Sequence, residues 1–324
     1  MNGKSPLVSV IMPVYNAQDY VGYAIESILS QTYTNFELII VDDASSDDSL
    51  KMINSYCDER IQVLKREENA GYPTAMNQGL SMSKGIFVAR MDADDISAAN
   101  RIENQVAFLN SHPELVFVGT RKFWVTPRGK FYFPESLANP EEDWITETWE
   151  RVLKRKRAFT DPSVIVLRKY IENVGGYRTY LPTGQDVDLW LRLLENGKQA
   201  ATINARLYGR RMLLNAISYS KDTSKNNRIP RALAEERQKM GSDAVMRGES
   251  IDCFSITREM EVELHVQRIE ALWRAARRIA IAKDYVSSVL FTLNALQAGG
   301  INENSVRWLV RYLRVVLFKS NRIS

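Results

Sequence analysis

The feature that most constrains the fold of this chain is a regular alternation of short apolar runs with helical patterns over residues 7–91. In the first helical pattern, apolar residues recur at i, i+3, i+4, i+7 and i+8 from Val21 to Leu29. Strands are expected at residues 7–12, 36–41, 61–64 and 86–91, with helices at 21–29, 49–56 and 74–82. Strands that alternate with helices at this spacing pair in parallel through right-handed crossovers. The sequence therefore predicts an open, mostly parallel α/β sheet flanked by helices.

The rest of the chain carries weaker signals. Val116–Val118 and Val164–Leu167 have the composition of later strands, whereas the stretch between them has no clear period and is expected to be a variable insertion. From residue 231 onward the pattern is helical, and Gly299–Gly300 is expected to end a helix at 285–297. We therefore predict two regions, with residues 1–230 as the α/β domain and residues 231–324 as a C-terminal helical appendage.

Composition limits the chemistry that the chain can perform. Hydrophobic residues make up 45% and charged residues 25%, which is average for globular proteins and excludes a disordered chain or a disulfide scaffold. Cys57 and Cys253 are the only cysteines, and His112 and His265 are the only histidines. This supply is too small for a thiolate or histidine-rich zinc site, and it favours a reducing compartment. Chemistry in this protein is therefore expected to depend on carboxylates.

Charge and hydropathy favour a cytoplasmic protein. The formal net charge is +4, and residues 301–324 hold five basic residues against the single acidic Glu303. A second basic run at 151–157 lacks the interleaved aromatic residues that stack on single-stranded nucleic acid, so no nucleic-acid partner is expected. No stretch approaches the roughly 18 apolar residues of a spanning helix, and the N-terminal apolar run does not match a signal peptide. We expect a cytoplasmic location.

The C-terminal tail has an amphipathic helical pattern. Its apolar residues follow helical spacing, whereas Arg307, Arg311 and Arg314 line another face. Such a helix can lie in the headgroup region of an anionic membrane, here through residues 303–319, and would make the protein peripheral on the inner face of the plasma membrane. The alternative is that this helix packs on the domain or on a second subunit.

Acidic residues follow two of the predicted strands, where an α/β sheet binds its ligands. Asp42 and Asp43 follow the second strand, and Asp92, Asp94 and Asp95 follow the fourth. The loop after the first strand has no glycine, so the phosphate cradle of a dinucleotide-binding fold is missing. Closely spaced carboxylates can instead hold a hard divalent cation that neutralises a diphosphate, and Mg²⁺ or Mn²⁺ is expected.

A third acidic pair, Asp186 and Asp188, leads into an apolar helical pattern. Taken alone, each acidic cluster is also consistent with helix capping: Asp95 could cap a helix beginning near Ile96, and Asp186 or Asp188 could cap the helix that follows. The occurrence of the clusters together, in a fixed order with other motifs, favours a functional role.

Six motifs occur in the order found in one enzyme family. They are Val10-Ile11-Met12-Pro13-Val14-Tyr15-Asn16, Val41-Asp42-Asp43-Ala44-Ser45-Ser46-Asp47, Asn69-Ala70-Gly71 with Ala75-Met76-Asn77-Gln78-Gly79, Asp92-Ala93-Asp94, Gly175-Gly176-Tyr177, and Asp186-Val187-Asp188-Leu189-Trp190-Leu191-Arg192. Over residues 5–220 the chain resembles the inverting family 2 glycosyltransferases of the GT-A fold, of the type that builds bacterial surface polysaccharides. The resemblance implies a glycosyltransferase of the hexosyltransferase type.

The resemblance also implies which residues bind the donor. Pro13, Tyr15 and Asp43 are expected to line the pocket for the nucleotide base and ribose. Asp92 is expected to contact the ribose or the metal, and Asp94 is expected to ligate the metal, Mn²⁺ or Mg²⁺, directly.

On the acceptor side, the resemblance makes Asp186 the catalytic base, which takes the proton of the acceptor hydroxyl as its oxygen attacks the anomeric carbon. Asp161 and Trp190 are expected to lie near the acceptor, and Asp188 is expected to orient the helix or the acceptor. Because the displacement is a single step, the configuration at the anomeric carbon is expected to invert.

Several positions depart from the family pattern. Ala44 replaces the usual glycine, Gln185 replaces the glutamate before the base, and Asp161-Pro162-Ser163 replaces a His-Pro-Ser sequence. The stretch 211–218 lacks the late histidine that helps many relatives to hold metal or diphosphate, so weaker metal binding is expected. The Gln-x-x-Arg-Trp motif of processive members is absent at the expected distance after Asp186, so one sugar is expected per encounter.

The sequence thus predicts an inverting, metal-dependent, non-processive transferase that moves a sugar from a nucleotide-sugar, expected to be a UDP-sugar, to a saccharide hydroxyl. A lipid-linked glycan in surface polysaccharide synthesis is the expected acceptor. The first alternative is a non-catalytic subunit that binds a sugar nucleotide or a glycan. The second, a nucleotidyltransferase, would need a glycine-rich basic loop after the first strand, and Pro13–Asn16 does not provide one.

Overall fold

The computed structural model describes residues 5–133, 142–154, 157–181, 184–214, 228–249, 251, 258–299 and 309. Contacts divide the chain into two compact units. The first contains the residues up to Lys122, the later segment that ends at Arg210, and Pro230–Asp243. The second contains the segment that begins at Phe123, the residues that follow from Arg211, and the helices after Ala244. The contacts group Pro230–Asp243 with the first unit, and the division predicted between residues 230 and 231 stays a prediction.

A mixed sheet forms the centre of the first unit. Its strands are β1 (Val8–Val14), β2 (Phe36–Asp42), β3 (Ile61–Lys65), β4 (Phe87–Arg90), β5 (Ile96–Ser97), β6 (Phe117–Val125), β8 (Trp144–Glu147), β9 (Ile165–Leu167) and β10 (Ala200–Arg211). In the second unit, β7 (Phe131–Tyr132) pairs with the last residues of β6. The order is β3-β2-β1-β4-β9-β6-β10-β5, with β8 paired to β10. The first four strands are parallel to one another, whereas β9 is antiparallel to both β4 and β6.

Helices cover both faces of this sheet. They are α1 (Val21–Leu29), α2 (Ser49–Ile53), α3 (Tyr72–Met82), α4 (Arg101–Ser111), α5 (Trp149–Leu153), α6 (Arg168–Asn173), α7 (Gln185–Leu193) and α8 (Ile229–Met240). Alternate residues of β1 enter different apolar clusters, since Val10 packs with Ile25 of α1 and Ile11 packs with Met76 of α3. A strand buried on both faces reads as a continuous apolar run, which is the pattern that the sequence shows. Gly79 lets α3 pack closely against β1, because a Cβ atom at position 79 would lie 2.4 Å from Ile11 Cγ2.

The second unit contains a helical pair, α9 (Arg258–Ile281) and α10 (Tyr285–Gly299). Trp273 of α9 and Phe291 of α10 lie in its apolar core. Val286, Val289, Leu290 and Leu293 of α10 are exposed on the opposite side. Within the described ranges, no helix has both the length and the hydropathy needed to cross a membrane.

The structure confirms the predicted α/β fold and the parallel pairing of the four N-terminal strands. The region between Val118 and Val164, expected to be an insertion without a clear period, contributes β8 and α5. The capping interpretation of Asp95 is wrong, because Ile96–Ser97 forms β5 and the next helix begins at Arg101. The predicted tail helix over 303–319 lies outside the described residues, apart from Leu309, which packs partly buried in the core of the second unit.

Candidate active site

The predicted donor residues lie at the carboxyl ends of adjacent parallel strands. β1 ends at Val14 and β2 ends at Asp42, and the two residues are register partners. The N–H of Asp43 donates to the carbonyl of Val14 at 2.8 Å, which ties the turn after β2 to the end of β1. Pro13 is half-buried in β1, and the Tyr15 side chain, 54% exposed, follows the strand. The structure therefore brings Pro13, Tyr15 and Asp43 to one edge of the sheet.

The buried Asp43 carboxylate organises the start of α3. It accepts hydrogen bonds from the N–H groups of Ala70 at 3.2 Å and Gly71 at 2.9 Å. Arg66 Nε lies 3.1 Å from the same carboxylate. A carboxylate is well placed at a helix N-terminus, where free N–H groups and the helix dipole favour negative charge. The matched motifs around Asp43 and Gly71 are thus parts of one contact, and a base-binding role for Asp43 stays a prediction.

The family's glycine at position 44 also has a physical explanation. Ala44 has φ 60°, in the left-handed region that glycine occupies without a steric penalty. The turn that contains it is held by Asn16, whose side-chain oxygen accepts a hydrogen bond from the N–H of Ser46 at 2.8 Å. The backbone conformation is therefore kept in this chain although the residue that suits it best is absent.

Arg90, which the sequence analysis did not single out, lies at the centre of the site. It is the last residue of β4 and is only 3% exposed. Its NH1 lies 2.6 Å from Asp186 Oδ1, and its NH2 lies 3.4 Å from Asp92 Oδ1. The guanidinium carbon also lies 5.1 Å from the ring centroid of Tyr72. A basic residue at the end of a parallel strand, two positions before an acidic loop, was the signal that could have identified it.

Asp186 occupies the first turn of α7 and does not cap it. The residue before the helix is Gly184, in the left-handed conformation, and no side chain caps the helix there. Burial raises the pKa of Asp186 to about 6, opposed by the positive charge of Arg90 and reinforced by the negative charges of Asp161 and Asp92. A carboxylate with a raised pKa is a better proton acceptor than an exposed one and is still largely ionised at neutral pH.

Asp161 is held beside Asp186 by two donors. Trp190 Nε1 donates to Asp161 Oδ1 at 2.9 Å, and Arg157 NH2 donates to Oδ2 at 2.6 Å. Burial acts to raise the pKa of Asp161, but the charges of Arg157 and Arg90 outweigh it and hold this pKa below the usual value. Asp161 and Asp186 are thus neighbouring carboxylates with pKa values shifted in opposite directions, a pattern typical of functional sites.

Asp188 and Trp190 are both held by contacts inside the protein. The side chains of Asp188 and Trp190 are both fully buried at 0% exposure, so neither offers a surface to an acceptor. Asp188 accepts hydrogen bonds from Arg192 Nε at 2.8 Å and from Arg178 NH1 at 3.4 Å. Asp188 thus orients α7, one of its two expected roles, whereas the buried Trp190 positions Asp161 and does not itself face an acceptor.

The glycine pair before the base is clamped by α3 and α7. The side chain of Asn77 makes two hydrogen bonds of 2.8 Å to the backbone of Tyr177, one as donor and one as acceptor. Gly176 has φ 72°, and an added Cβ would lie 2.6 Å from Asn77 Oδ1. Arg192 donates to the carbonyl of Gly176 at 2.8 Å. The matched motifs that contain Asn77, Gly176 and Arg192 therefore contact one another, and these contacts fix the position of α7.

Asp92 and Asp94, two of the three carboxylates that follow β4, fit a divalent ion. Burial raises the pKa of Asp92, Arg90 opposes this, and the negative charge of Asp94 reinforces it, so the two carboxylates are close enough to repel. A bound cation relieves such repulsion. In the described part of the chain, no group of three or more His, Cys, Asp or Glu side chains could hold a metal ion. Two carboxylates suit Mg²⁺ or Mn²⁺ in sites that substrate phosphates complete.

Comparison with known proteins identifies the class. Residues 9–173 match the family model "Glycosyl transferase family 2". The chain is 34% identical over 230 residues to TuaG of Bacillus subtilis (strain 168), named as a teichuronic acid biosynthesis glycosyltransferase, covering 68% of this chain and 85% of TuaG. The chain therefore belongs to glycosyl transferase family 2 and is a glycosyltransferase.

Another relative is named for a specific reaction. The chain is 32% identical over 198 residues to the Escherichia coli protein "UDP-Glc:alpha-D-GlcNAc-diphosphoundecaprenol beta-1,3-glucosyltransferase WfaP", covering 61% of this chain and 74% of WfaP. Among solved structures, S. aureus TarS 1-349 in complex with UDP is similar with a TM-score of 0.59 and 20% identity, covering 97% of this chain and 92% of that chain. This likeness supports the predicted GT-A fold.

Proposed function

We propose that this glycosyltransferase is inverting, metal-dependent and non-processive, and that it moves a sugar from a UDP-sugar to a saccharide hydroxyl. The observation that carries the proposal is the placement of Asp186 beside the carboxylates that follow β4. Arg90 contacts both Asp186 and Asp92, so the candidate base and a candidate donor-binding carboxylate pair with the same guanidinium group. In a family of nucleotide-sugar enzymes, this arrangement supports proton removal directly beside the bond to be broken.

Asp186 removes the proton of the acceptor hydroxyl in this mechanism. The acceptor oxygen forms a bond to the anomeric carbon while the bond from that carbon to the nucleoside diphosphate breaks. Because the attack comes from the face opposite the diphosphate, the anomeric configuration inverts. Asp94 and Asp92 would hold the divalent ion, which when bound supplies positive charge that stabilises the diphosphate leaving group. One carboxylate base then suffices, since the leaving group needs no separate general acid.

The relatives support the proposed substrate classes. WfaP is named for a UDP-sugar donor and a diphosphoundecaprenol-linked acceptor, and TarS was solved with UDP. TuaG is named for teichuronic acid biosynthesis. We therefore propose a UDP-sugar as donor and a lipid-linked glycan of a surface polysaccharide as acceptor.

The donor proposal is tested by nucleotide binding. We expect UDP to bind more tightly than GDP, dTDP or CDP, and to bind about tenfold more tightly with Mn²⁺ than without it, since Asp92 and Asp94 would hold the ion and its positive charge would offset the negative charge of the diphosphate. Isothermal titration calorimetry with each nucleotide, with and without Mn²⁺, measures both effects. An equal UDP affinity with and without Mn²⁺ would contradict the metal dependence. Absence of binding by all four nucleotides would contradict the donor proposal and favour a non-catalytic glycan-binding subunit.

We further propose that the protein works at the inner face of the plasma membrane as a peripheral protein. The basic amphipathic pattern over residues 303–319 supports this location. The exposed residues Val286, Val289, Leu290 and Leu293 of α10 add an apolar face directly before that segment. We expect the full chain to sediment with phosphatidylglycerol vesicles at low salt, and the double variant R311E/R314E to lose this binding. Equal sedimentation of both proteins, or of neither, would contradict the proposal.

A further inference from the structure

We propose that Arg90 is a positioning residue for the transfer reaction: it fixes the carboxylate of Asp186 and couples the candidate base to the donor carboxylate Asp92. The inference rests on the proposed function and adds to it a residue that acts by placing the candidate base. Two sets of contacts support this role: those that fix the backbone and guanidinium of Arg90, and those that the guanidinium makes to carboxylates.

The backbone of Arg90 is held from three directions. Arg90 is the register partner of Ile11 in the parallel pair of β1 and β4. Its N–H donates to the carbonyl of Val164 at 3.1 Å, and its own carbonyl accepts a hydrogen bond from Arg101 NH2 at 2.7 Å. Arg101 is itself fully buried. The guanidinium of Arg90 therefore projects from one of the most constrained points at this edge of the sheet.

The guanidinium is also held through its face. It lies over the ring of Tyr72, whose centroid is 6.3 Å from that of Tyr177 in an edge-to-face arrangement. Tyr177 in turn is bonded through its backbone to Asn77 of α3. A planar guanidinium stacked on an aromatic ring has a fixed orientation and can present two N–H edges to different acceptors. A lysine at the same position would keep the charge without this geometry.

The two acceptors of Arg90 belong to opposite sides of the proposed reaction. Asp186, on α7, would contact the acceptor hydroxyl, and Asp92, after β4, would contact the donor or its metal. Arg90 NH1 and NH2 bridge them at 2.6 and 3.4 Å. Asp161, the third carboxylate nearby, has its own partners in Arg157 and Trp190. Arg90 therefore sets the orientation of Asp186 relative to the donor.

The kinetic test compares Arg90→Met with Arg90→Lys. Since a misplacement of about 1 Å can cost roughly 100-fold in rate, we expect Arg90→Met to lower kcat about 100-fold while the KM for the donor stays within about threefold. Arg90→Lys should recover about a tenth of the wild-type kcat, because the charge returns without the two nitrogen atoms that reach separate carboxylates. The matched control is Arg60→Met, which removes another arginine that pairs with an aspartate and lies over a ring. It should leave kcat and KM unchanged.

The coupling test does not depend on transfer. Asp186→Asn frees Arg90 to pair more closely with Asp92, so this variant should bind Mn²⁺–UDP about threefold more weakly, and the difference should vanish in the Arg90→Met background. Calorimetry on the four proteins of this cycle measures the coupling. Equal effects of Asp186→Asn in both backgrounds, or no effect in either, would overturn the coupling. If the cycle shows the coupling but the wild-type protein transfers no sugar, the proposed function alone is refuted.

Discussion

Replacing Asp186 with asparagine is expected to abolish sugar transfer while leaving nucleotide binding within about fivefold of wild type. Asparagine keeps the shape of the side chain but cannot accept the proton of the acceptor hydroxyl. General-base catalysis contributes about 10²–10⁴-fold to enzymatic rates, so we expect a loss in kcat of about 10³-fold. The measurement is transfer from a UDP-sugar in steady state, together with calorimetry of Mn²⁺–UDP binding on the same preparation.

The control for this variant is Asp58→Asn. Asp58 also pairs with an arginine, Arg60 at 2.7 Å, but lies in the loop before β3 and contacts none of the site residues described above. It should transfer sugar at the wild-type rate. Full turnover by Asp186→Asn would remove Asp186 as the base, and Asp161, held by Arg157 and Trp190 in the same cluster, would become the next residue to test.

The same carboxylate sets the acid side of the pH profile. The pKa of Asp186 is raised to about 6, with burial as the largest cause. Arg90 opposes the shift, while the negative charges of Asp161 and Asp92 reinforce it. Because the base must be ionised, kcat/KM in the wild type should fall as the pH drops through about 6. In Asp58→Asn the profile should be unchanged, whereas a profile flat down to pH 4 would contradict the assignment.

The N-terminal half of the fold could be predicted because local signals suffice there. β1 and β2 are apolar runs buried on both faces, and α1 has a clean helical period, so sequence alone places them within a few residues. β9 is only three residues long and pairs antiparallel on both sides. Nothing within such a short run specifies the direction of its partners. The same is true of β8, which pairs with a strand more than fifty residues later in the chain.

The site was predicted as a set of residues, but its internal contacts were not. Acidic residues after strands could be read from their positions along the chain. The role of Arg90, by contrast, depends on its contact with Asp186, which lies on a helix far from Arg90 in the sequence. Trp190 shows the reverse error, because its position near the base suggested contact with the acceptor, whereas its side chain is buried and donates a hydrogen bond to Asp161. Such partnerships depend on chain crossings that a single sequence does not reveal.

The last prediction concerns the metal. Asp94→Ala is expected to remove the roughly tenfold gain in UDP affinity that Mn²⁺ provides, since even changes to residues that only support a metal ligand cost about 10–100-fold in metal affinity. Binding measured without Mn²⁺ should be unchanged. Repulsion does not explain this loss, because removing the charge of Asp94 lowers the pKa of Asp92 and leaves Asp92 more fully ionised. The loss would therefore report a missing oxygen ligand.

Two further variants separate a ligand from a mere local charge. Asp94→Asn keeps one oxygen donor without the negative charge, so its Mn²⁺-dependent binding should fall between that of wild type and that of Asp94→Ala. Asp58→Asn, which removes a carboxylate elsewhere in the same unit, should bind as wild type does. If Asp94→Ala keeps the full effect of Mn²⁺ on UDP affinity, Asp94 is not a metal ligand. Asp92 would then be the remaining carboxylate of the pair that could hold the ion.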